Sequence, residues 1–293
     1  MPADATELRR LLSREDTPVV LPCCYDGLSA RLVERAGFEC TFMTGFGVSA
    51  VHGFPDTQLI SYEEMVASAR RICASLTSIP CIGDADTGYG NAINVKRTVR
   101  GYIQAGMAGI MLEDQVMPKR CGHTKGKQVV SRDEAFMRIR AAVDARRESG
   151  RDIVLVARTD ARGTHSLDEA IARCIEFHRL GADVTFLEAP QSVDEMQRIC
   201  REVPGWRMAN MLEHGVTPIL PAAELKTMGF HLVAYPLTIL GASIQAMNSA
   251  LAHLRTHGHT PVESLPTFNQ IKADVGFDEY YVEEDKYRFE SAT

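Results

Sequence analysis

The chain has 293 residues, of which 45% are hydrophobic and 24% charged. These are the proportions of an ordinary globular protein, long enough to bury a core without disulfide or metal staples. With 32 Lys and Arg against 38 Asp and Glu, the net charge is −6, so the basic surplus of a nonspecific nucleic-acid binder is missing.

Eight cysteines are scattered through mostly apolar runs, with no Cys-x-x-Cys pair. That argues against a zinc knuckle or disulfide framework and for reduced thiols in the cytoplasm. The first ten residues lack a cationic stretch followed by an apolar one, so no signal peptide is expected. Residues 231–254 carry no Asp, Glu, Lys or Arg, but Pro236, Gly241, Gln245 and Asn248 interrupt them, which excludes a membrane span.

Short, nearly continuous apolar runs occupy residues 19–25, 40–44, 79–86, 109–114, 153–160, 184–190, 206–211 and 231–237. Such runs are expected of strands covered on both faces. Segments with helical spacing alternate with them. Ser61 with Glu64, Ser131 with Glu134 and Ser166 with Glu169 read as capping boxes. Gly37, Gly106 and Gly181 read as helix stops. Eight strand–helix units predict a (β/α)8 TIM-type barrel. A doubly wound open sheet is the alternative, but the first strand leads into Tyr25-Asp26-Gly27 and not a glycine-rich phosphate loop. Residues 1–258 are assigned to the barrel, including a long apolar helix at 239–257. Residues 259–293 form a helical tail with Phe277, Tyr280, Tyr281 and Tyr287, aromatics that suit docking on another surface.

Chemistry in such barrels lies at the C-terminal ends of strands. There the sequence places Asp84 and Asp86, Glu113 and Asp114, Arg158 and Asp160, Glu188, and Asn210, with Asp56 in the loop after strand two. Carboxylates gathered on one rim repel each other unless a cation or protons offset them. Hard oxygen donors with few histidines suit Mg²⁺, for which Mn²⁺ can stand in. Asp84 and Asp86, two apart on a strand, are expected to point to one side of the sheet, so that only one need touch the metal directly. Arg158 suits a substrate carboxylate, which a guanidinium grips with two hydrogen bonds. After strand four, residues 118–127 place Lys119, Arg120, Lys125 and Lys127 around Cys121, with His123 two positions on. Such a setting is expected to lower the thiol pKa, and the polar, glycine-containing segment suits a mobile lid.

Lys119-Arg120-Cys121-Gly122-His123 resembles the catalytic loop of the isocitrate lyase/phosphoenolpyruvate mutase superfamily. The stretches 44–46, 53–56, 84–90, 110–115, 157–161, 188–190 and 210–213 resemble its other signatures in the same order. Within it the chain is most similar to the short lyases: methylisocitrate lyases, dimethylmalate lyases, oxaloacetate hydrolases and the petal death type.

The resemblance implies a Mg²⁺-dependent oxo-acid lyase, and a homotetramer whose last barrel helix is exchanged between subunits. It implies that Asp86 touches the ion while Asp56, Asp84 and Glu113 reach it mainly through water. Thr44, Gly45, Phe46, Asp84, Gly122, Arg158, Glu188 and Asn210 would bind substrate. Cys121 would be the proton donor, tuned by His123 and Lys119, with Arg158 and Glu188 completing the catalytic set. Tyr25 is a candidate base only by its place after strand one.

Methylisocitrate lyases carry an arginine six residues past the tyrosine of a Tyr-Pro-Leu motif; here Tyr235 is followed at that distance by Gly241. This favours 2-alkylmalates, 2,3-dimethylmalate or oxaloacetate over methylisocitrate. Cys121 argues against the phosphonate P–C bond enzymes, which commonly carry asparagine there. The intact acid and thiol set argues against a non-catalytic barrel.

Overall fold

Eight parallel strands pair in chain order: β1 (Val19–Cys24), β2 (Thr41–Met43), β3 (Cys81–Asp84), β4 (Gly109–Glu113), β5 (Val154–Thr159), β6 (Val184–Leu187), β7 (Trp206–Asn210) and β8 (Leu232–Tyr235). β8 then pairs back onto β1, from Val19 opposite Leu232 to Pro22 opposite Tyr235, and closes the barrel. Every apolar run of the sequence contains one of these strands, and the open sheet is excluded. This computed structural model describes residues 3–124 and 126–288; Lys125 of the basic loop lies outside the described residues.

The helices are α1 (Ala5–Leu12), α2 (Gly27–Arg35), α3 (Gly45–Val51), α4 (Tyr62–Ser75), α5 (Ala92–Ala105), α6 (Arg132–Ser149), α7 (Ala161–Thr164), α8 (Leu167–Leu180), α9 (Val193–Glu202), α10 (Ala222–Met228), α11 (Thr238–His257), α12 (Phe268–Val275) and α13 (Phe277–Asp285). The chain divides into two compact units, Met1–Ile239 and Leu240–Thr293. The division falls inside α11 and not after it, so most of that helix groups with the tail.

One end of the barrel is plugged. α1 buries Leu8, Leu11 and Leu12 in a cluster with Leu21, Ile82, Met111, Val156, Phe186 and Leu232 from inside the barrel. Each leucine is 1% exposed or less, a burial that contributes about 1.5–3 kcal/mol apiece. Arg9 of the same helix bonds Asp152 and Asp183, which immediately precede β5 and β6. The plug therefore sits at the N-terminal ends of the strands and leaves the opposite mouth for chemistry.

Helix ends follow the local sequence signals, with one departure. Ser61 and Glu64 form the full reciprocal capping box on α4. Ser131 and Ser166 cap α6 and α8, but the reciprocal half is missing in both. Their glutamates are engaged by arginines: Glu134 by Arg138, and Glu169 by Arg132 and Arg173. Gly106 and Gly181 are left-handed C-caps as expected, while Gly37, also left-handed, stands one residue past the Ala36 cap.

In the second unit Leu240 is the one buried hydrophobic among the described residues, whereas Met247, Leu251, Phe268, Tyr280 and Tyr287 are exposed. Gly276, left-handed, separates α12 from α13. Among the described residues no helix is long and apolar enough to cross a membrane.

The wall beneath the mouth depends on a glycine. A Cβ at Gly83 would stand 2.6 Å from Cε1 of the fully buried Tyr102, whose hydroxyl donates to the Asp84 carbonyl at 2.5 Å. Gly83→Ala is expected to cost about 1–3 kcal/mol through overpacking. A urea midpoint equal to that of the unsubstituted protein would contradict this.

Candidate active site

At the open mouth, a cavity of about 70 Å³ is lined by Thr44, Phe46, Asp56, Asp84, Lys119, Cys121, Gly122, His123, Arg158, Glu188 and Asn210, with Met111, Phe186, Leu212, Ala234, Pro236 and Leu237 among the apolar wall. That is space for a handful of waters, suited to a small acid and not to a nucleotide. Of the expected site residues, Gly45, Asp86 and Glu113 stand just behind this lining. Tyr25 does not line it: β1 has ended at Cys24, Asp26 already caps α2, and Tyr25 packs against Gly47.

The acids do not reach the site as a simple strand pattern. β3 ends at Asp84, and Asp86 lies beyond it in a left-handed turn with φ 46°. The expected strand alternation therefore does not bring the two together. Instead the Asp86 amide donates to Asp84 Oδ1 at 3.0 Å. Asp84 Oδ2 accepts from the Gly45 amide at 3.2 Å, so that amide is committed to the protein. Asp114 leaves the mouth altogether: it accepts from Arg173, Thr159 and the Asp160 amide.

Two cations organise what remains. Lys119 Nζ sits 2.5 Å from Asp56 Oδ1 and 3.0 Å from Asp86 Oδ1, fully inside the acid cluster. Arg158 bonds Asp160 at 2.8 Å and lies 3.3 Å from Glu113 and 3.7 Å from Glu188. Burial pushes the Asp84 carboxyl up to about 6, with Lys119 opposing and Asp86 and Asp56 adding to the rise. Burial likewise holds Glu113 well above the carboxylate range. Burial acts the same way on Asp160, but Arg158 and Lys127 more than offset it and hold Asp160 at about 2.

The loop from Pro118 to Lys127 folds over the cavity. The Lys119 amide donates to Gln58 Oε1, and Lys127 Nζ bonds both the Gly122 carbonyl and Asp160 Oδ1. Sequence reasoning gave no role to Gln58, Lys127 or Asp160 as tethers. Only the left-handed φ of Gln58, visible in three dimensions, marks it out. A Cβ on Gly122 would stand 2.5 Å from Glu188 Oε1 and closer still to Arg158, so the loop backbone lies directly on these side chains. Asn210 donates to Glu188 at 3.3 Å.

The expected lowering of the Cys121 pKa is corrected. Burial raises it, and the nearby Asp56 and Glu188 add to the rise against the His123 amide and Arg158. The loop lysines do not act as the sequence suggests because Lys119 and Lys127 are spent on carboxylates. The thiol is therefore kept protonated, as a proton donor must be.

Unfinished contacts test whether a divalent ion suits this set. Glu113 Oε1 is buried without a hydrogen-bond partner, and Asp86 Oδ1 meets only the Lys119 ammonium, in a cluster where Asp84 and Glu113 resist ionisation. Among the described residues no three such side chains form a ready-made ligand cluster. Carboxylate oxygens are nevertheless the hard donors that Mg²⁺ takes, one or two at a time with water completing its shell.

Fold and site together define a (β/α)8-barrel protein with a carboxylate-rich mouth under a cysteine loop. More narrowly, the chain belongs to the phosphoenolpyruvate phosphomutase family, whose model matches residues 8–255. It is 44% identical to the chloroplastic carboxyvinyl-carboxyphosphonate phosphorylmutase of Arabidopsis thaliana, over 96% of this chain and 84% of that protein. It is 42% identical to the 2,3-dimethylmalate lyase of Eubacterium barkeri, over 97% and 98%. Among solved structures, an oxaloacetate acetylhydrolase bound to 3,3-difluorooxalacetate superposes with TM-score 0.92 at 38% identity, covering 96% of each chain. A phosphonopyruvate hydrolase complexed with oxalate and Mg²⁺ superposes with TM-score 0.85 at 28% identity, covering 97% of this chain and 98% of that one.

Mg²⁺ at a hundredfold excess over its Kd should stabilise the fold by about 2.7 kcal/mol, read as a rise in Tm. Asp86→Asn should lose most of that rise; an undiminished rise would remove Asp86 from the ion's contacts.

Proposed function

We propose that the chain is a Mg²⁺-dependent carbon–carbon lyase that cleaves a small 2-hydroxy dicarboxylate of the 2-alkylmalate or 2,3-dimethylmalate type to a 2-oxo acid and a carboxylate, or cleaves oxaloacetate, after water adds to its C2 carbonyl, to oxalate and acetate. The observation that carries this reading is a protonated thiol, an arginine and an acid cluster lining one small cavity. Asp86 would hold the ion directly, and Asp56, Asp84 and Glu113 would hold it mainly through water. When bound, the ion supplies positive charge that polarises the C2 oxygen and adjoining carboxylate.

Arg158 would grip the carboxylate of the 2-oxo half, with Thr44, Gly45 and Phe46 beside it; since Asp84 takes the Gly45 amide, Thr44 and Phe46, which line the cavity, would contact the ligand. Glu188, steadied by Asn210 and Arg158, would contact the polar centre of the substrate. As the C2 hydroxyl loses its proton, the C2–C3 electron pair passes to C3. Cys121 then gives its proton to that carbon. His123, whose Nε2 is 3.0 Å from Glu188, and Lys119, which anchors the loop to the acids, would keep the thiol in place.

The cavity wall of Leu212, Ala234, Pro236 and Leu237 carries no cation. A second carboxylate arm buried there would be uncompensated, whereas an alkyl group would gain apolar contact. This supports alkylmalates or oxaloacetate over methylisocitrate. The exposed apolar residues of the second unit support a homotetramer in which α11 is exchanged between neighbours. Eight unpaired cysteines support a cytoplasmic setting.

A panel of 2-alkylmalates, 2,3-dimethylmalate, oxaloacetate, isocitrate and methylisocitrate, assayed with Mg²⁺, tests the substrate assignment. Highest kcat/KM is expected within the alkylmalates, dimethylmalate and oxaloacetate; a clear preference for methylisocitrate would reverse it. Cys121→Ser should lower kcat by about 10²–10⁴-fold while the Mg²⁺-dependent rise in Tm persists; full turnover by that variant would reject the proton-donor role. Because the thiol pKa is raised, the donor form survives through neutrality. On the alkaline side, activity should therefore fall only above the ordinary thiol value of about 8.5, and an alkaline limb with its midpoint below pH 8 would contradict the assignment.

A further inference from the structure

The loop after β7 makes a contact that the reaction scheme does not use. Leu212 to Gly215 form a tight turn in which the Gly215 amide donates to the Leu212 carbonyl at 3.1 Å. Within it His214 adopts φ 59°, a left-handed conformation uncommon for a residue with a side chain. The turn aims the next amide outward: Val216 N–H donates to His123 Nδ1 at 3.3 Å. With Nδ1 accepting, the ring proton is on Nε2, which faces Glu188 Oε1 at 3.0 Å without completing a hydrogen bond.

The ring can lie there only because residue 215 has no side chain. A Cβ on Gly215 would stand 2.7 Å from His123 Nδ1 and 2.9 Å from Cε1. Its backbone does not occupy the left-handed region, so an alanine would be excluded by the imidazole and the neighbouring Leu212 carbonyl, and not by φ.

We propose that Gly215, with the Val216 amide, is a positioning residue: it forms a seat on the loop after β7 that docks the His123 ring, fixes its tautomer and so holds the Cys121 loop down over the cavity. The proposal assumes the thiol-bearing loop of the lyase reading, but its test does not depend on turnover. Failure of the seat and failure of the assigned reaction are therefore distinguishable.

The probe is the rate at which iodoacetamide alkylates Cys121, followed by peptide mass spectrometry in the full-length protein. Cys200, also partly exposed and carried by α9, is the internal reference. Gly215→Ala is expected to raise the Cys121 rate at least threefold with Cys200 unchanged. His123→Ala should raise it similarly. The double variant should match His123→Ala alone, because removing the ring makes room for the methyl group.

A rise below threefold in Gly215→Ala overturns the proposal. So does a parallel rise at Cys200, which marks general loosening, or the full Gly215→Ala factor persisting without the ring. Should Gly215→Ala fail to accumulate, a folded double variant supports the seat and an unfolded one overturns it.

Discussion

The mouth of the barrel is built around unbalanced negative charge. Asp56, Asp84, Asp86, Glu113, Asp160 and Glu188 are buried there, and the cations set directly among them are Lys119, Lys127 and Arg158. Charges removed from water are costly unless paired, so much of the local structure serves to share out these three cations. Lys119 draws the start of the Cys121 loop down onto Asp56 and Asp86. Lys127 ties the end of the loop to Asp160, and Arg158 spans Asp160, Glu113 and Glu188. The shortfall that remains falls on Asp84 and Glu113, the two acids whose burial most clearly resists ionisation. A cavity in this condition favours a small divalent ion.

The same arrangement explains why the thiol keeps its proton, as the proposed donor role requires. A cysteine ringed by free lysines would be a thiolate near neutrality. Here Lys119 and Lys127 are engaged, burial dominates, and the thiol keeps its proton. The basic loop acts as a set of tethers, and its charge serves closure more than activation.

Much of the architecture was legible from the chain alone. All eight strands fall within continuous apolar runs, because strands flanked on both faces leave no room for alternation. The strand ends also located the acids and Arg158. What sequence could not supply was direction. Asp114 and Asp160 look equivalent to Asp84 and Glu113 in one dimension. Yet Asp114 turns outward to Arg173, and Asp160 serves Arg158 and Lys127. Asp86 departs from strand alternation through one left-handed residue, and Gln58 reaches the loop from a turn with no distinctive pattern. These outcomes depend on contacts between segments tens of residues apart, to which local periodicity is blind.

Gly122 lies so close over Arg158 and Glu188 that no side chain fits between them. One side of the cavity is thus frozen: its backbone is part of the polar floor and cannot be enlarged or trimmed. The wall of Leu212, Ala234, Pro236 and Leu237 faces no such restriction. Under the proposed lyase reading, exchanging one aliphatic residue of that flank for another would change which acid the cavity accepts and leave the polar floor as it is.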